Sequence, residues 1–191
     1  NKDYFSQILA CFERHPDAIG VGGFITNEVH WQLKDVEHRA GISFFQFGNW
    51  VRREDFRWRL RRILGLDSPL PPGWMPPFSH GRSVGFLPPD GDDYQVELIM
   101  GGASTWRRSV FEEIEFSSYF DGYGLYEDSE FCLRASRLGP MFLSTSAKLE
   151  HHHASSGRPA HFRYGEMVVR NGWYVWRQSN PNPIWSDRMR W

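Results

Sequence analysis

The stretch Ala18-Ile19-Gly20-Val21-Gly22-Gly23-Phe24-Ile25 constrains this chain more than any other. An unbroken apolar run of this length suits a strand covered on both faces, and its glycines allow neighbouring atoms close to the backbone. Ahead of it, Phe5, Ile8, Leu9 and Phe12 recur at helical spacing. Asp3 is placed to cap that helix, and His15-Pro16-Asp17 to end it, so a helix is predicted over 4–14 and a strand over 18–25. A helix feeding a doubly covered strand belongs to an α/β sheet.

The rest of the chain continues in the same manner. Strands are expected over 40–48, 82–87, 95–100 and 141–150, and helices over 107–114, 127–138 and 162–178. The stretch 67–77 is rich in proline and glycine and reads as a loop. The tail Asn180-Pro181-Asn182-Pro183-Ile184 reads as extended. Between 50 and 66, Phe56, Leu60, Ile63 and Leu64 share a helical face among six arginines. Such a basic amphipathic stretch can lie on an anionic membrane surface or pack on its own domain with a solvated basic face, and the second is the default.

Composition excludes several function classes. The formal net charge of −1 carries no nucleic-acid signature. Cys11 and Cys132 both fall in helical segments, which argues against a disulfide scaffold and fits a reducing compartment. No apolar run approaches the roughly 20 residues a membrane span needs. The chain opens on Asn1-Lys2-Asp3-Tyr4 rather than on methionine, so an excised single domain, peripheral to a membrane at most, is expected.

Four constellations carry candidate chemistry. Glu127, Asp128 and Glu130 stand in the first turn of a helix after a glycine-rich loop. Acids there complement the helix dipole, and one beside a cleft can also take a proton from an attacking hydroxyl. Glu150-His151-His152-His153 closes a strand, and a neutral imidazole there can ligate a metal, although three adjacent histidines match no zinc-site spacing. Gly101-Gly102 ends another strand and leads to Trp106, whose ring can stack on a sugar or fill a core. Ser155-Ser156-Gly157-Arg158 can grip a diphosphate or be a solvent loop.

The order of these motifs resembles that of the family-2 glycosyltransferases. Gly101-Gly102 leads to Arg107-Arg108, then to Tyr119-Phe120-Asp121-Gly122-Tyr123-Gly124, Glu127-Asp128-x-Glu130-Phe131-x-x-Arg134-Ala135, Leu138-Gly139, Ala147-x-Leu149-x-His151 and Arg170-Asn171. The match is dense over 95–178 and looser over 1–27, while 28–94 falls in a segment variable in that family. The resemblance implies an α/β fold, a partial GT-A (Rossmann-like) mixed sheet flanked by helices. It implies a nucleotide-sugar donor, a carbohydrate or glycolipid acceptor, inversion at the anomeric carbon and a role in polysaccharide biosynthesis.

By position, Asp128 looks like the catalytic base, with Glu127 as its partner. His151 and His153 look like contacts to a divalent Mn²⁺ or Mg²⁺, and Gly101, Gly102, Trp106 and Arg158 like contacts to substrate. Two departures stand out. Gly122 occupies a position where many relatives carry glutamate, and no Asp-x-Asp precedes Asn1, so the nucleotide-binding half is expected elsewhere and the isolated chain is expected to be inactive. The expected compartment is the cytoplasm, with peripheral contact at the inner face of the membrane open through the basic stretch 50–66. The rivals are a non-catalytic glycan- or protein-binding module on the same fold, and a hydrolase using His151 to His153.

Overall fold

The computed structural model describes residues 2–34, 41–78, 81–152 and 159–191. Helix α1 (Tyr4–Arg14) buries Ile8 and Cys11 and stops before Pro16. Strand β1 (Gly20–Ile25) is buried at every position, as its unbroken apolar run requires. Short strands β2 (Gln32–Leu33), β3 (Phe44–Phe47) and β4 (Trp50–Arg53) follow, then helix α2 (Phe56–Ile63). After a long loop come β5 (Asp93–Val96), β6 (Ser104–Trp106), the single-turn α3 (Val110–Glu113) and α4 (Glu127–Ala135). Strand β7 (Met141–Leu149), the long helix α5 (His161–Ser179) and α6 (Trp185–Arg190) complete the chain.

The principal sheet is mixed, in the order β5-β7-β1-β6. β1 and β7 run parallel, while β5 and β6 pair antiparallel at the two edges. β1 and β7 end together, with Ile25 opposite Leu149. The predicted close approaches at the β1 glycines are real. A Cβ on Gly23 would meet the Tyr4 ring at 2.4 Å, and one on Gly20 would meet the Trp106 ring at 2.7 Å. Tyr4 also donates its hydroxyl to the Ala103 carbonyl at 3.0 Å, so α1 braces the turn that follows residue 100. The main core lies between the sheet and α4, around Phe24, Ile99, Phe131, Met141 and Leu143.

Several expectations are corrected. The stretch 82–87 is a single 3-10 turn at Val84–Phe86 rather than a strand, closed by Leu87 N donating to Val84 O. The expected 95–100 strand begins earlier and ends at Val96, because the amides of Glu97 and Leu98 turn away to the Gly73 carbonyl. The start of the 50–66 stretch is strand, since Trp50 to Arg53 pairs with β3 and β2 to form a second, three-stranded sheet. Trp185–Arg190, beyond the extended tail, is helical.

The orientation of α2 also departs from the default. Its apolar face points to solvent, with Phe56 75%, Leu60 40%, Ile63 64% and Leu64 60% exposed. The inward side holds Trp58, packed edge-on against Phe86 at 5.2 Å, and Arg62, whose Nη2 lies 2.6 Å from Glu54 Oε2. The cause is Glu54, a carboxylate with no exposed side-chain surface that binds both Arg62 and Arg82. A buried charge demands partners, and that demand sets the helix's rotation. No helix among the described residues is long and apolar enough to cross a membrane.

Candidate active site

The chain enters α4 through Gly122, Gly124 and Tyr126, all at positive φ. Tyr126, at φ 73° and ψ 8°, is the non-glycine member, a conformation costing about 1–3 kcal/mol that must be held by its surroundings. Asn171, buried on α5, provides one hold by donating Nδ2 to the Leu125 carbonyl at 2.9 Å. Arg170 Nε in turn donates to Asn171 Oδ1 at 3.1 Å. The Arg170-Asn171 pair thereby fixes the loop that delivers the acidic turn.

That turn sorts its three carboxylates. Glu130 is buried and paired with Arg134, with Nε to Oε1 and Nη2 to Oε2 both at 2.8 Å, which is a structural role. Asp128 is half-buried and held at both oxygens: Ser129 N donates to Oδ1 at 2.8 Å, and Gly101 N donates to Oδ2 at 3.2 Å. Glu127 folds over Gly124, where a Cβ would lie 2.6 Å from its Oε2. Loss of solvent around the Glu127 carboxyl, and then the neighbouring Asp128 charge, push its pKa above the ordinary value.

Opposite this turn stands the end of β7. Asn27, just past β1, clamps the His151 backbone with two hydrogen bonds of 2.9 Å, one accepted from His151 N and one donated to its carbonyl. The His151 ring is paired at Nδ1 with Glu28 Oε1, at 2.8 Å. A side chain at the carboxyl ends of adjacent parallel strands is where an open α/β sheet places ligand contacts.

One cleft of about 490 Å³ collects these groups. Its lining includes Gly101, Gly102, Glu127, Asp128, His151 and Tyr164. A second cavity, of about 300 Å³, adjoins it and is lined by Glu28, Arg52, Gly85, Ser129 and also Asp128. Asp128 therefore walls both spaces, and the His151–Glu28 pair spans them. Nothing stands within 4 Å of where a Cβ of Gly102 would be, so that side of the cleft is open to a ligand.

Of the residues singled out in the sequence, Asp128, Glu127, Gly101, Gly102 and His151 line one cleft. Trp106 is corrected: it is absent from the lining, its ring packing against Phe131 at 5.0 Å and over Gly20. The apolar neighbours claim it for the core. His153 and Arg158 lie outside the described residues, and His152 is exposed and paired with Glu150 at 3.1 Å. Asn27, Glu28 and Tyr164 were not singled out. The position of Asn27 and Glu28, immediately beyond the strongest strand in the sequence, was the available signal.

A divalent ion fits poorly with the described part of this cleft. His151, Glu127 and Asp128 offer ligand types there, but no three of their atoms converge on one point, and the Glu28 pairing at His151 Nδ1 does not itself preclude ligation. Among the described residues, the one group of three convergent ligand types is elsewhere, at Cys11, His15 and Asp93. There Arg14 occupies both oxygens of Asp93, at 2.7 and 3.0 Å, and burial followed by the Asp93 charge pushes the Cys11 thiol up to about 12. The carboxylate of that group is already balanced by Arg14. Comparison with protein-family models, curated proteins and solved structures yields no match to this chain.

Proposed function

We propose that this chain is the acceptor-side portion of a GT-A type glycosyltransferase, with Asp128 as the general base. The observation that carries the reading is the cleft itself. Three separated stretches, at 101–102, 127–128 and 151, contribute to one opening around a half-buried carboxylate. The motif order along the chain gives the reaction class, and the geometry supports a shared site.

In the proposed step, an acceptor hydroxyl enters over Gly102 and hydrogen-bonds to Asp128. As the acceptor oxygen forms its bond to the anomeric carbon, its proton passes to the Asp128 carboxylate. The bond from that carbon to the nucleoside diphosphate breaks with inversion, and the electron pair leaves on the phosphate oxygen. The Gly101 and Ser129 amides keep the carboxylate aimed, so little reorganisation is needed at the moment of transfer. Glu127, more readily protonated than an ordinary glutamate, accompanies the base at the cleft lip.

The test is Asp128→Asn in the complete protein. Turnover should fall by about 10²–10⁴-fold while donor affinity by calorimetry stays within about twofold. Turnover at the wild-type level would remove Asp128 from this role. A second reading, glycan binding without transfer, draws on a shallow cavity lined by Tyr119, Arg170, Trp173, Tyr174, Arg177 and Trp191. Aromatic faces beside guanidinium groups suit sugar rings, and glycan affinity without donor-dependent turnover would favour it.

A further inference from the structure

We infer that the outward face of α2 is a docking surface for an anionic lipid bilayer. At about 100° per residue, Phe56, Leu60, Ile63 and Leu64 fall within roughly a quarter-turn of arc, and all four are exposed. Exposed Arg57 borders one side of this stripe, with half-buried Arg61 behind it donating to the Leu66 carbonyl at 2.9 Å, and half-buried Arg59 borders the other, with exposed Arg53 just ahead of the helix. Of the two acids nearby, only Asp55 is exposed, and it is engaged at the start of the helix. Glu54 is buried, and Asp55 caps the helix by accepting from Trp58 N at 3.0 Å. The surface thus combines a contiguous apolar stripe with cationic flanks, the pattern of a helix lying in a membrane interface with its arginines reaching headgroups.

The helix is held in this orientation rather than loosely attached. Trp58 packs against Phe86, Arg82 lies over the Trp58 ring at 4.4 Å, and Arg62 donates to the Phe44 carbonyl at 3.1 Å as well as binding Glu54. The arginines that could have covered a solvent face are partly used beneath it, and the side chains that could have filled a core are above.

Charge decides the occupant. A two-fold contact between two copies would set these cationic flanks against each other, with Asp55, already engaged as the helix cap, the one exposed acid between Arg53 and Arg57 to offset them. An anionic headgroup layer supplies that missing charge.

Vesicle co-sedimentation of the full chain tests the inference, and it requires neither a sugar donor nor the transfer reaction. Binding to phosphatidylglycerol-containing phosphatidylcholine vesicles should exceed binding to pure phosphatidylcholine by at least about tenfold at low salt. The combined variant Phe56→Ser, Leu60→Ser and Ile63→Ser should lose at least about tenfold in binding with an unchanged thermal midpoint, because these side chains are exposed. Arg53→Glu with Arg57→Glu should abolish the anionic preference independently. Equal binding to both vesicle types, no binding at all, or self-association in the ultracentrifuge that the serine variant abolishes would overturn the proposal, the last assigning the face to a second copy. Vesicle binding without any transferase activity would leave this surface standing and remove only the catalytic reading.

Discussion

Gly101 N donates to Asp128 Oδ2 at 3.2 Å across 27 positions of sequence, and a Cβ placed on Gly101 would stand 3.2 Å from Asp128 Cβ. The glycine thus does two jobs, offering its amide and leaving room for the acid to reach it. Gly101→Ala should force a shift of a few tenths of an ångström at the carboxylate. We expect kcat in the complete protein to fall by about tenfold with the fold intact by circular dichroism. Gly102→Ala meets no protein atom and should instead raise the acceptor KM, since its methyl enters the open cleft. Initial-rate kinetics on both variants distinguish the two effects, and identical behaviour would contradict the assignment.

Asn27 joins the ends of β1 and β7 through its two bonds to the His151 backbone. Asn27→Ala removes both at a largely exposed position, so the expected loss is about 1 kcal/mol. For a chain of this size that lowers Tm by about 2–4 °C, readable by calorimetry. The chemical shift of the His151 ring should move as well, because its backbone anchor is gone. An unaltered Tm and spectrum would mean the clamp is not formed in solution.

Glu54 balances Arg62 and Arg82 from a site with no exposed side-chain surface. Glu54→Ala leaves Arg82 buried with Asp67 as its remaining carboxylate partner, 2.6 Å away. Breaking such a network by deleting one partner costs about 3–5 kcal/mol, so urea unfolding should shift strongly toward lower concentration. A midpoint like the wild type's would show that α2 does not depend on this charge.

Acid should destabilise the fold through Asp93. Burial alone would push its pKa up, but the hydrogen bonds and charge of Arg14, with the nearby Ser144 hydroxyl and Cys11 thiol, outweigh burial and hold it below the ordinary value of 3.8. The unfolded chain therefore binds this proton more readily than the folded one. The stabilisation is complete above the unfolded pKa and is lost as pH falls through the lower, folded value. Asp93→Asn should be less stable than wild type at neutral pH, with the gap narrowing below about pH 4 in urea titrations. A gap independent of pH would exclude Asp93 as the source.

The sequence by itself determined the elements whose pattern admits one reading. The apolar run at 18–25 had to be a covered strand, Pro16 had to end α1, and the helical spacing around Phe131 and Ala135 had to place α4 against a core. It also marked Asp128, Glu127, Gly101, Gly102 and His151, because loop–helix junctions and strand ends are where an α/β sheet exposes chemistry. Tertiary structure decided what local pattern leaves degenerate. The acids of α4 look alike in sequence, yet Arg134, one turn along the same helix, claims Glu130, while the Gly101 amide reaches Asp128 from an element distant along the chain. Trp106 could equally have stacked on a ligand or a core, and the room left by Gly20 beside Phe131 settled it. The rotation of α2 was beyond sequence for the same physical reason: periodicity identifies an apolar face, but the partners demanded by a buried Glu54 determine which way that face points.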